Sequence, residues 1–194
     1  MQKLARGITD QLVQNNIVKP EDADSCRYGL ELMFSSVSEI LCVLVISLFA
    51  GNFAETVVFF TAFMPLRVYG GGYHADTRLR CFLILLAAYG MFTVLLMLLP
   101  LEAYRYVIFG GAAFTLIAVT ALAPVRHNNK HLSENEVRVY RKIAVGICIA
   151  EAAAALTGGI LAGESPYILS FVCGQLAVSL SMIAACIKVK IAGR

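Results

Sequence analysis

Six stretches of this chain are apolar over close to the length of a bilayer crossing, which constrains the fold more than any motif does. They run from Leu30 to Ala50, Phe53 to Leu66, Phe82 to Leu99, Tyr106 to Ala123, Ile143 to Leu161 and Tyr167 to Ile187. A spanning helix needs about 20 mainly apolar residues, and backbone groups in lipid must bond within their own segment or close into a barrel. Only 15% of the 194 residues are charged, where a soluble domain carries roughly 25%, so the chain is short of the charge that a water-facing surface needs. The expected class is all-α: a polytopic integral membrane protein with about six transmembrane helices. The second stretch is short and stops near Pro65. It is expected either to tilt or to run into a broken or re-entrant segment near residues 65–81, tolerated at membrane depth where protein or water surrounds it.

The basic residues assign an orientation. Lys3, Arg6, Lys19 and Arg27 precede the first stretch, Arg67, Arg78 and Arg80 follow the second, Arg126, Lys130, Arg138, Arg141 and Lys142 follow the fourth, and Lys188, Lys190 and Arg194 end the chain. Fifteen of the 16 Lys and Arg residues thus fall on one side and only Arg105 on the other. Positive loops stay cytoplasmic, so both termini, residues 67–81 and the 124–142 segment are expected inside. The net charge of +3 is then an orientation signal and not a nucleic-acid footprint, which needs a clustered basic face.

Residues 1–19 lack the apolar core of a cleavable signal. Leu4, Ile8 and Leu12, with Val13 and Ile17, recur at helical spacing, which fits an amphipathic helix on the inner membrane surface or an ordinary helix packed on the protein. With no repeat and no long linker, one membrane domain is expected: an amphipathic segment over 1–28, a transmembrane core over 29–187 and a basic cytoplasmic tail over 188–194.

Chemistry concentrates between Arg67 and Cys81, in Arg-Val-Tyr-Gly-Gly-Gly-Tyr-His-Ala-Asp-Thr-Arg-Leu-Arg-Cys. A thiol and an imidazole are the minimum for a cysteine nucleophile with its base. On one straight helix His74 and Cys81 would stand about 10.5 Å apart along the axis, too far for proton transfer over roughly 3 Å. Either the pair does not react together or the chain bends, and Gly70, Gly71 and Gly72 permit a bend because they can take positive φ. Their amides could also face an oxyanion. The residues alone leave a catalytic dyad and a packing cysteine with a loop histidine both open. Cys42, Cys148, Cys173 and Cys186 fall in apolar stretches and read as small hydrophobes; Cys26 and Cys81 would face a reducing compartment as thiols. Neither a metal nor a cofactor is expected, because six scattered cysteines and three histidines make no ligand spacing.

Arg67, Gly70, Gly71, His74 and Ala75, with Cys81 seven residues beyond the histidine, resemble the active-site segment of the accessory gene regulator B (AgrB) family of membrane cysteine peptidases. The resemblance extends through the apolar segments to Ala123-Pro124-Val125 and Asn129-Lys130-His131-Leu132; His131 stands where many members carry proline. It implies Cys81 as nucleophile, His74 as base and then acid, and Arg67 with Gly70, Gly71 and Gly72 as shapers of the site. The implied substrate is an AgrD-like propeptide with an amphipathic leader and an acidic tail. The tail would be cut off through a thioester, releasing a cyclic thiolactone or lactone precursor of a quorum-sensing peptide. Arg126, Lys130, Arg138 and Arg141 are the expected contacts for that acidic tail. Membrane lipid and a second copy in a homodimer are the other expected partners; nucleic acid is not.

Other polar residues have plainer readings. Glu31, Glu39 and Glu151 lie in or at the ends of apolar stretches, where ionisable groups need partners; Glu39 is a candidate to orient His74 or to meet an arginine. Gln175, Ser35, Ser36 and Ser38 read as bonds between helices. Asp76 is a candidate third catalytic group or a helix cap, and His127 and His131 belong to a solvated loop or to substrate contact. The competing function is a six-span transporter or peptide exporter without proteolysis, whose usual internal repeats are not evident here.

Overall fold

The computed structural model describes residues 2–73, 77–125 and 134–192. Among these residues the chain is helical without strands: α1 (Gln2–Gln14), α2 (Ala23–Ala50), α3 (Phe53–Gly70), α4 (Arg78–Leu98), α5 (Leu101–Leu122), α6 (Glu134–Leu161) and α7 (Pro166–Ala192), with one 3₁₀ turn at Pro20–Asp22. The chain divides into two compact units, Met1–Phe49 and Ala50–Arg194.

In the first unit α1 is amphipathic as expected. Its buried line runs through Ala5 and Thr9, Ile8 and Leu12 are half-buried, and Leu4 is exposed. Pro20 opens the 3₁₀ turn, where its fixed φ fits and its missing N–H costs nothing. Along α2 the Glu39 carboxylate accepts from the Ser35 hydroxyl one turn earlier, at 3.1 Å.

The second unit is a helical bundle in which α3 packs most extensively on α7, and α5 packs on both α6 and α7. Small residues allow the approach. A Cβ added at Gly174 would come 2.3 Å from the carbonyl oxygen of Phe59, and one at Gly111 would come 2.6 Å from Val172. Phe59, Phe60, Phe63 and Phe92 form an aromatic cluster between α3 and α4, with ring centroids 5.0–6.0 Å apart. Large apolar side chains such as Met91, Leu98, Tyr106, Ile117 and Leu161 are exposed. Apolar surface this continuous marks a membrane-facing exterior.

Among the described residues five helices are long and apolar enough to cross a bilayer: Pro20–Ala50, Leu79–Leu98, Leu101–Leu122, Glu134–Leu161 and Pro166–Lys188. The second of the six expected stretches is not among them. Its helix, α3, is 18 residues long and includes Glu55 and Arg67, and it buries Phe59, Phe60, Ala62 and Leu66. The chain is an all-α polytopic membrane protein in which α3 lines the interior of the bundle.

Candidate active site

The motif is broken, as the glycines lead one to expect. Pro65 sits inside α3, yet the helix continues to Gly70. There Gly71 takes φ 79° and Gly72 φ 143°, a region that side-chain-bearing residues rarely enter. A new helix, α4, begins at Arg78. Arg67 and Cys81 therefore belong to two helices joined by a turn, and residues 70–81 are not one straight rod.

Arg67, on the last turn of α3, holds the turn in place. Its Nη1 donates to the Gly71 carbonyl at 3.2 Å and to the Ser181 hydroxyl at 3.0 Å, and its Nη2 donates to the Tyr73 carbonyl at 2.5 Å. Ser181 also receives the Tyr73 amide, at 2.9 Å on its hydroxyl and 3.0 Å on its carbonyl. On the other side the Val125 amide donates to the Gly70 carbonyl at 3.0 Å. Residues 70–73 are thus pinned to α3, to α7 and to the segment after α5. The planar guanidinium suits this work, since it offers several donors in fixed directions. Lys188 adds its ammonium over the Tyr73 ring, 5.1 Å from the centroid, within cation–π range.

The three glycines are not equivalent. A Cβ on Gly72 would stand 1.9 Å from Arg67 Nη1 and 2.7 Å from the Ser181 hydroxyl; on Gly71 it would meet the Val125 carbonyl at 3.1 Å; on Gly70 only the flexible Met182 sulfur, at 3.5 Å. Gly72 is the position where any side chain collides with the arginine clamp.

Cys81 lies in the first turn of α4, half-buried, and its amide donates to the Thr77 carbonyl at 3.1 Å. Thr77 caps the helix, its hydroxyl accepting from the Arg80 amide at 3.4 Å; the cap is Thr77 and not Asp76. First-turn N–H groups and the positive end of the helix dipole favour an anion at this end. None of the six cysteines is in a disulfide.

The remaining expectations divide. His74, Ala75 and Asp76 lie outside the described residues, as do Arg126, His127, Lys130 and His131. Arg138 is exposed at the start of α6. Arg141 donates to the Thr120 carbonyl at 3.1 Å, so it closes the C-terminal end of α5, where cations are favoured. Tyr69 and Tyr140 stack nearby, 5.8 Å apart. Among the described residues no group of three His, Cys, Asp or Glu side chains could hold a metal. Ser181 is the site residue that the sequence reading missed. Its one signal was a hydroxyl in the last third of an apolar stretch, where serine commonly bonds to a neighbouring helix.

Known proteins resemble this chain in sequence over most of its length. A protein named AgrB-like in Listeria innocua serovar 6a is 26% identical over 150 residues, covering 75% of this chain and 72% of its own length. Proteins of the same name in Listeria welshimeri serovar 6b and Listeria monocytogenes serotype 4a are each 27% identical over the same share. No solved structure matches. The profile of the family Accessory gene regulator B matches residues 5–185, and the chain therefore belongs to the AgrB family, membrane proteins of the Agr quorum-sensing system.

Proposed function

We propose that the chain is a membrane cysteine endopeptidase that removes the C-terminal tail of an AgrD-like propeptide and releases a cyclic peptide. The observation that carries this reading is the break between Gly70 and Arg78, with Cys81 in the first turn of the helix that follows. Because α4 begins only at Arg78, no single straight helix forces His74 and Cys81 about 10 Å apart, and the helix start favours negative charge on sulfur.

The chemistry proceeds in two acyl transfers. The Cys81 thiolate attacks the carbonyl carbon before the tail; a C–S bond forms, the C–N bond breaks, and His74 gives the departing amine its proton. A thiol within the bound peptide then attacks the thioester. A new C–S bond closes the ring and the Cys81 thiolate leaves; a serine in the same place would give a lactone. Thioester exchange is close to neutral in energy, so the second step depends on excluding water. Arg67 and Ser181 hold residues 71–73, the segment just before His74, and neither exchanges a proton.

Cleavage of a propeptide in membranes tests this. Cys81→Ala and His74→Ala should each abolish cleavage while the protein still accumulates in membrane, and Cys81→Ser should be nearly as damaging, because a hydroxyl is far less ionised than a thiol near neutral pH. Cleavage at the wild-type rate by Cys81→Ala would end the proposal.

A further inference from the structure

Deeper in the bundle lies a second polar group that the peptidase reading does not use. Thr115 on α5, Glu151 on α6 and Gln175 on α7 are each buried, with 1%, 9% and 1% of their surface exposed. The Thr115 hydroxyl, the Oε2 of Glu151 and both amide atoms of Gln175 have no hydrogen-bond partner.

Helix register brings the three to one level. Gly158 of α6 faces Ile168 of α7, and Gly159 faces Ile108 of α5. Seven residues back along α6 from Gly158 is Glu151, and seven forward along α7 from Ile168 is Gln175. Thr115 is seven forward from Ile108 on α5. Seven residues are nearly two turns, about 10.5 Å, so Glu151 and Gln175 return to the facing side at the same depth, and Thr115 comes level with Ala152, one residue from Glu151. The Gln175 amide acts on the Glu151 carboxyl without reaching hydrogen-bond geometry.

Apolar layers close the group from both ends. On the motif side lie Val119, Cys148, Val178 and Leu66; on the opposite side Ile108, Ala112, Ala155, Leu169 and Val172 are buried. Cys148, three residues earlier on α6, is the titratable group that feels the Glu151 charge. From α5 and α7 the facing groups are the neutral Thr115 and Gln175, and α3 offers Phe63 and Leu66 to the adjoining layer.

An ionisable side chain at membrane depth marks a functional site, and buried polar atoms are ordinarily satisfied. The donors here are carboxylate, amide and hydroxyl oxygens, which suit hard cations. With one negative charge, the group is neutralised by a single positive one, whereas a divalent ion would leave net charge in the membrane core.

We infer that Thr115, Glu151 and Gln175 form a site for a small monovalent cation, a proton or a sodium ion, that bridges α5, α6 and α7. The site is independent of the peptidase chemistry.

Thermal unfolding of the full chain in nanodiscs tests it. One arm varies pH at fixed ionic strength; the other varies sodium against N-methylglucamine at fixed pH. Occupancy well above the dissociation constant should raise the apparent Tm by roughly 3–10 °C. A proton site gives a pH-dependent Tm that Glu151→Gln loses and whose midpoint Gln175→Leu and Thr115→Val displace. A sodium site gives a sodium-specific rise that all three variants weaken. Ser170→Ala on α7, whose hydroxyl bonds only its own helix at 2.6 Å, should leave either dependence unchanged. The inference is overturned if wild type shows neither dependence or if Glu151→Gln retains it. Should Glu151→Gln fail to accumulate, Gln175→Leu decides: an unmoved midpoint and an unchanged sodium response overturn the site.

Discussion

Arg67 and Ser181 are 114 residues apart in sequence and 3.0 Å apart in space. Through that contact the end of α3 and the middle of α7 hold the glycine turn in common, and the Tyr73 amide and carbonyl are bound from both sides. Ser181→Ala should therefore lower propeptide turnover with KM little changed. A lost hydrogen bond to a charged group is worth about 1.5–3 kcal/mol, or roughly 10- to 100-fold in rate. Arg67→Lys should be no milder, because a single ammonium cannot reach the Gly71 and Tyr73 carbonyls and the Ser181 hydroxyl together. Steady-state cleavage kinetics check both.

The glycines should rank in the order of their crowding. Gly72→Ala, which drives a methyl into the Arg67 guanidinium, should cost at least about 10-fold in cleavage, the price of displacing one charge-assisted contact. Gly71→Val should also cost activity more than expression, since φ 79° strains a β-branched residue. Gly70→Ala should be the mildest, because only the flexible Met182 side chain must move. Membrane abundance and cleavage rate measured side by side give the ranking.

Much of this was legible in the chain. Apolar length marked six stretches; five of them are long enough to span, and the second, short and ending near Pro65, is the buried helix α3. The glycine run gave the break. What could not be read was anything that depends on register between distant helices. Ser181 meets Arg67 only because α3 and α7 pack closely past Gly174, and Thr115 comes near the level of Glu151 only because α5, α6 and α7 pack at a depth set by Gly111, Gly158 and Gly159. Two local bonds were not legible either: the Thr77 hydroxyl caps α4, and Arg141 bonds an α5 carbonyl.

Arg141 should accordingly part from the other basic residues of its segment. Added salt should raise the apparent KM for an acidic-tailed propeptide, and replacing Arg126, Lys130 and Arg138 together should raise it at low salt and flatten that salt dependence, with turnover nearly constant, since exposed pairs contribute only about 0–1 kcal/mol each and are screened. Arg141→Ala should instead lower stability by about 1 kcal/mol through the lost bond to the α5 terminus. A KM held constant while turnover falls in the triple variant would remove that segment from substrate capture.

Orientation is a separate claim from chemistry. Single cysteines placed in the 124–142 segment of a background lacking exposed thiols should react only with reagents that reach the cytoplasm, if the expected topology, which gathers fifteen of 16 basic residues on one side, follows the rule that positive loops stay inside. Labelling from outside would invert the topology and the side from which the propeptide enters.

The most direct measurement is the mass of the intact protein after brief exposure to propeptide, with hydroxylamine treatment as the second step. The account predicts an added mass equal to the propeptide without its tail, carried on Cys81, released by hydroxylamine as a thioester must be, and absent from Cys81→Ala. A Cys81→Ala protein that still cleaves the propeptide, or a wild-type protein that cleaves it with the acyl group carried on a residue other than Cys81, would contradict it.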